Sequence, residues 1–103
     1  MDRYDIIKNL YKLNNKYKKD GFRFVSLFGS YARGTEDMFS DIDITYKINH
    51  DLFFKDDAFA KLDKINDIKK ELESIFHRKV DLIPANTKNE IIQTTLEKEQ
   101  IAI

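Results

Sequence analysis

From Asp41 to Ile48 the chain alternates without a break. Ile42, Ile44, Tyr46 and Ile48 fall on one side, and Asp41, Asp43, Thr45 and Lys47 on the other. A two-residue period of this kind is a β-strand with one apolar and one polar face. Such a strand is not stable alone. Its edges need partner strands, and its apolar face needs a second layer to bury against. The chain is therefore committed to a covered sheet.

Two segments supply the partner strands. Phe22 to Phe28 is short, aromatic and partly β-branched, bounded by Gly21 and Gly29, and its near-continuous apolar character predicts burial on both faces. Lys79 to Ile83 is a third, shorter strand that Pro84 closes.

The covering layer is helical. In Asp2–Lys19, the residues Ile6, Ile7, Leu10, Leu13 and Tyr17 recur at three- and four-residue steps. Acids near its start and lysines near its end suit the helix dipole, and Asp20-Gly21 stops it. The lysines read as a solvated helix end, since no aromatic ladder accompanies them. From Ala58 to Phe76 the apolar positions are Leu62, Ile65, Ile68, Leu72, Ile75 and Phe76, and His77-Arg78 ends that helix. One or two helical turns are expected after Gly29-Ser30, and a short turn within Asn49–Asp57. A last helix is expected over Thr87–Lys98, with Thr87 and Glu90 as its capping box and Ile91, Ile92 and Leu96 as its buried side. The predicted class is α/β (α+β): a small mixed sheet of three or more strands packed against helices, in one domain over residues 1–103.

Charge narrows the function. The 18 basic residues balance the 18 acidic ones, which argues against a domain that grips nucleic acid by bulk electrostatics. No stretch is long enough to span a bilayer, no apolar leader follows Met1-Asp2-Arg3, and a cytoplasmic location is expected. Cysteine is absent, so disulfides are excluded.

Asp41 and Asp43 are the first chemical signal. Residues two apart on a strand share a face, roughly 7 Å apart. Paired carboxylates there repel unless a cation lies between them, and all-oxygen ligands suit magnesium. Alone, the pair reads more readily as two solvated acids on a polar strand face than as a metal site. A calcium loop is excluded because Thr45, Tyr46 and Leu52 occupy positions that need an acid or amide, glycine and glutamate. Gly29-Ser30 is the second signal. Glycine after a buried strand admits close approach to the backbone, and serine at a helix start stands beside unpaired amides. Its alternative is a plain turn with a capping serine. A P-loop is excluded by Thr35-Glu36. Asp81, flanked by Val80 and Leu82 in an otherwise apolar strand, is the third. A charge there needs a partner, either a metal shared with Asp41 and Asp43 or a nearby cation. Arg33 could reach a phosphate from the turn, or pair with Glu36 or Asp37. His50 and His77 lack metal-ligand companions.

Gly29-Ser30, ten residues, Asp41-x-Asp43 and a later strand bearing Asp81 together resemble the DNA polymerase β-type nucleotidyltransferase superfamily. Within it, Leu27-Phe28-Gly29-Ser30-Tyr31-Ala32-Arg33-Gly34 and Ser40-Asp41-Ile42-Asp43 resemble the minimal nucleotidyltransferases, the MntA-like antitoxins. The likeness covers nearly the whole chain. It implies that Gly29 and Ser30 hold the β- and γ-phosphates of ATP. It implies that Asp41 and Asp43 ligate two Mg²⁺ ions, and that Asp81 shares the catalytic metal and helps deprotonate the acceptor. It further implies transfer of AMP to a hydroxyl, a tyrosine, of a partner HEPN-domain toxin, in complex with that partner. Two rival readings are an antitoxin that neutralises by contact alone, and a small-molecule nucleotidyltransferase. The second would need an acceptor-binding region beyond these elements.

Overall fold

The computed structural model describes residues 2–53, 58–86, 88, 90, 91, 93 and 100–103. In chain order the elements are α1 (Arg3–Tyr17), a 3₁₀ turn (Lys18–Asp20), β1 (Phe22–Phe28), α2 (Ser30–Arg33), β2 (Ile42–Ile48), α3 (His50–Phe53), α4 (Ala58–Phe76), β3 (Val80–Pro84) and β4 (Ile101–Ala102).

The first helix begins at a capping box. The Asp2 side chain accepts from the Asp5 N–H at 3.0 Å, and the Asp5 carboxylate accepts from the Asp2 N–H at 3.3 Å. The acids therefore fill the orphan donors of the first turn as well as suiting the dipole. Replacing Asp2 by Ala removes the cap, and a loss of about 1 kcal/mol in chemical denaturation is expected. Ile6, Leu10 and Tyr17 are buried, while Ile7 and Leu13 pack against the core from its margin. The α-helix ends at Tyr17, before the predicted Lys19, because the chain tightens into the 3₁₀ turn and then reverses at Gly21, whose φ is 76°.

The sheet has four strands in the order β3-β2-β1-β4. β1 runs antiparallel to both β2 and β4, and β2 runs parallel to β3. The parallel pair requires a crossover, and α4 supplies it. Register partners share a face, so one face carries Phe22, Phe24 and Leu27 of β1, Ile42, Ile44 and Tyr46 of β2, and Val80 of β3. These residues form one buried cluster with Ile6, Leu10 and Tyr17 of α1 and Ile68, Leu72 and Phe76 of α4. The two long helices therefore cover one side. The Tyr17 hydroxyl donates to Glu71, which also pairs with Lys16 at 2.7 Å, and this ties α1 to α4. Burial, then Glu71, pushes the Tyr17 phenol up and keeps it protonated.

Some expectations need revision. Ile75 is exposed and turns away from the core, and the Leu62 side chain lies outside the described residues. Most of the expected Thr87–Lys98 helix, including Thr87, Ile92 and Leu96, also lies outside them. Ile91, expected to be buried, is 79% exposed. The strand β4 had no forecast. Two residues carry too little pattern to read, and the strand exists because Leu27 and Ser26 offer a sheet edge to Ile101 and Ala102. Helix α4 ends at His77 in the left-handed region, φ 54°, a position usually taken by glycine.

Candidate active site

The side of the sheet away from the long helices carries the acids. Phe28, Asp43 and Asp81 are register partners in one row across β1, β2 and β3. Ser26, Thr45 and Ile83 form the next row. The Asp81 carboxylate of β3 is therefore on the same face as Asp43 and directly beside it. Asp41 precedes β2, two residues from Asp43. The parallel register that creates this neighbourhood is anchored where the Ile42 N–H donates to the Lys79 carbonyl at 2.9 Å.

The acids influence one another strongly. The Asp43 carboxyl is pushed up from 3.8 to about 6, first by burial, then by the charges of Asp81 and Asp41 and by a hydrogen bond with Asp81. The Arg33 charge opposes the rise, so this cation faces the acids from the end of α2. Its Nε also donates to Thr35 Oγ1 at 3.4 Å. Among the described residues no three acidic, histidine or cysteine groups converge into a preformed cation site. Asp43 and Asp81 meet directly, and Asp41 acts on them through its charge.

Gly29 closes the site from the β1 side. Its backbone, φ 76° and ψ −153°, lies in a region that side-chain-bearing residues essentially do not enter. A Cβ there would overlap Asp43 Oδ2 and lie 3.2 Å from Asp43 Cγ. The missing side chain is thus what lets the bend after β1 rest against the carboxylate. Helix α2 follows at once. The Thr35 N–H bonds back to the Ser30 carbonyl at 2.9 Å, which folds the turn over itself. From the other side, Arg3 Nη1 donates to the Ala32 carbonyl at 3.1 Å.

One pair of functional-face residues escaped the sequence reading. Ser26 and Thr45 are each 1% exposed, and their hydroxyls lie 2.6 Å apart directly behind the acidic row. The alternation of Asp41–Ile48 places Thr45 only on the polar side of that strand, with no sign that it is buried. Both hydroxyls lose water but keep a partner in each other. The available signal was a small hydroxyl at mid-strand in both central strands. It could be read only once a register irregularity between Phe24 and Ser26 had brought the two together.

This architecture, with acids in register on adjacent parallel strands and a glycine bend against them, coincides with a known family. Residues 8–103 match the model of the family described as Polymerase beta, Nucleotidyltransferase, and the chain belongs to it. It is a nucleotidyltransferase. Among its relatives is "Putative protein adenylyltransferase MJ1379" of Methanocaldococcus jannaschii, 30% identical over 100 residues, covering 94% of each chain. Among solved structures, the fold is shared with one titled "Structure of putative minimal nucleotidyltransferase". That match has a TM-score of 0.69 at 19% identity, over 100% of this chain and 97% of the other. The fold is also shared with a toxin–antitoxin structure containing AMP-PNP, with a TM-score of 0.62 at 22% identity, over 91% of this chain and 71% of the other.

Proposed function

We propose that this enzyme transfers AMP from ATP to a tyrosine hydroxyl of a HEPN-domain toxin, and so acts as that toxin's antitoxin. The observation that carries the reading is the row Asp43–Asp81 with Gly29 resting on Asp43. It brings the acids and the phosphate-side bend to one point. The adenylyltransferase name of the M. jannaschii relative and the toxin–antitoxin neighbour with AMP-PNP support the donor and the class of acceptor.

The donor set fits Mg²⁺. It consists only of carboxylate oxygens, and the burial and mutual repulsion that push the Asp43 carboxyl up are what a divalent cation would relieve. Asp41 and Asp43 would hold two such ions, with Asp81 sharing one. When bound, the metal lowers the pKa of the acceptor hydroxyl and neutralises charge on the leaving group. Gly29 and Ser30 bind the β- and γ-phosphates, and Arg33 adds a positive charge beside them. The tyrosine oxygen attacks the α-phosphorus in line. A new O–P bond forms as the bond from that phosphorus to the bridging oxygen breaks. Pyrophosphate leaves, and the phenolic proton passes to the Asp81 carboxylate.

The test is incubation of the chain with α-labelled ATP, Mg²⁺ and a HEPN-domain toxin protein. Label is expected on a tyrosine of the partner, and none with Asp41→Asn/Asp43→Asn. An intact, bound but unlabelled partner overturns the transfer. If toxin neutralisation survives the double substitution undiminished, contact is the mechanism instead.

A further inference from the structure

The loop between α2 and β2 carries a feature that neither fold nor catalysis requires. Phe39 is 85% exposed and Met38 71% exposed, side by side, two and three residues before Asp41. Single exposed apolar residues are ordinary, but an adjacent aromatic–thioether pair held out into solvent is not. The pair is not loosely held. The Phe39 N–H donates to Asp37 Oδ1 at 2.8 Å, the Asp37 N–H to Ser40 Oγ at 2.9 Å, and the Ser40 N–H to the Asp37 carbonyl at 3.2 Å. Asp37 and Ser40 thus clamp a turn whose apex is Met38-Phe39. A clamped apex has already given up the freedom that docking would otherwise remove. Its chain flanks are acidic: Glu36 and Asp37 before it, Asp41 after it.

We infer that the Met38-Phe39 turn is the docking anchor for the acceptor protein. It would insert into an apolar recess with a basic rim, situated beside the acceptor hydroxyl. This rests on the transfer reading above and specifies how the acceptor is held. The turn leads directly into the strand that bears Asp43, so an acceptor seated on it is delivered to the row Asp43–Asp81. Aromatic and methionine side chains are also the types enriched at the buried centres of protein interfaces.

The test uses the polypeptide that the wild-type chain labels from α-labelled ATP. Met38→Ser/Phe39→Ser should raise the KM for that polypeptide by about tenfold or more, as expected for losing two buried apolar anchors, with kcat little changed. Protection of the chain by ATP and Mg²⁺ in a thermal melt should be unaltered, which separates docking from nucleotide binding. Met38→Leu/Phe39→Tyr, which keeps the apolar bulk, should restore the KM. An unchanged KM in the serine variant overturns the docking role while leaving the transfer reading intact. So does self-association of the wild type that the serine variant abolishes with the acceptor KM unaffected. If wild type labels no polypeptide, both readings fall.

Discussion

Gly29→Ala is expected to reduce AMP transfer by about 100-fold and to destabilise the chain by about 1–3 kcal/mol. The stability loss comes from the backbone. At φ 76° and ψ −153° an alanine occupies a region where side-chain-bearing residues are strained by that amount. The activity loss comes from the collision. The new Cβ would overlap Asp43 Oδ2, so either the carboxylate or the bend must move. Displacing a reacting geometry by about 1 Å can cost about two orders of magnitude. Gly34→Ala separates the two effects. Gly34 also has φ 76°, but its nearest neighbour would be Arg3 Nη1 at 3.7 Å, an ordinary contact. It should lose about 1 kcal/mol and keep most of its activity. Melting curves and initial rates on the two variants decide the matter. Equal activity losses would mean that backbone strain, and not the overlap with Asp43, governs the site.

Asp43→Asn should do the opposite to stability and worse to activity. Asp43 titrates near 6 in the folded chain against 3.8 as its ordinary value. A group whose pKa is raised on folding favours the fold while protonated. Its contribution is therefore fully present below about pH 4 and is lost as pH rises through about 6. At pH 7.5 the metal-free chain holds a charge that its surroundings resist. The difference amounts to about 3 kcal/mol before solvent screening and about 1–2 kcal/mol after it. Asparagine removes that penalty and can still bond to Asp81. The metal-free variant is expected to melt about 5–10 °C above wild type at pH 7.5, with the advantage shrinking towards pH 4. AMP transfer should fall by about 100-fold or more, as when a charge-stabilising group leaves an active site. A variant that melts at or below wild type at pH 7.5 would show that the repulsion among these acids is already relieved. If these acids hold Mg²⁺ as proposed, the wild type should gain more stability from added Mg²⁺ than the variant does.

Much of the site was legible before any fold was known. The alternation from Asp41 to Ile48 set the strand and put Asp41 and Asp43 on its polar face. The apolar run ending at Gly29 set the second strand and the bend. Helical spacing in α1 and α4 named the buried residues those helices contribute to the core, Ile6, Leu10, Tyr17, Ile68, Leu72 and Phe76, because a helix face is a local property of the chain. Ile75 and Ile91 were misread because both continue an apolar pattern that the surroundings do not cover.

By itself the sequence determined which residues could do chemistry and which local conformations they occupy, since period, caps and glycine positions act over a few residues. Only the tertiary structure decided that Asp81 is the register neighbour of Asp43, that Gly29 lies against that carboxylate, and that Ser26 and Thr45 bury each other behind it. These are contacts between strands separated by up to dozens of residues. Parallel pairing through the α4 crossover and the irregularity in β1 select them, and a one-residue slip in either register would move the acid or the hydroxyl to the opposite face.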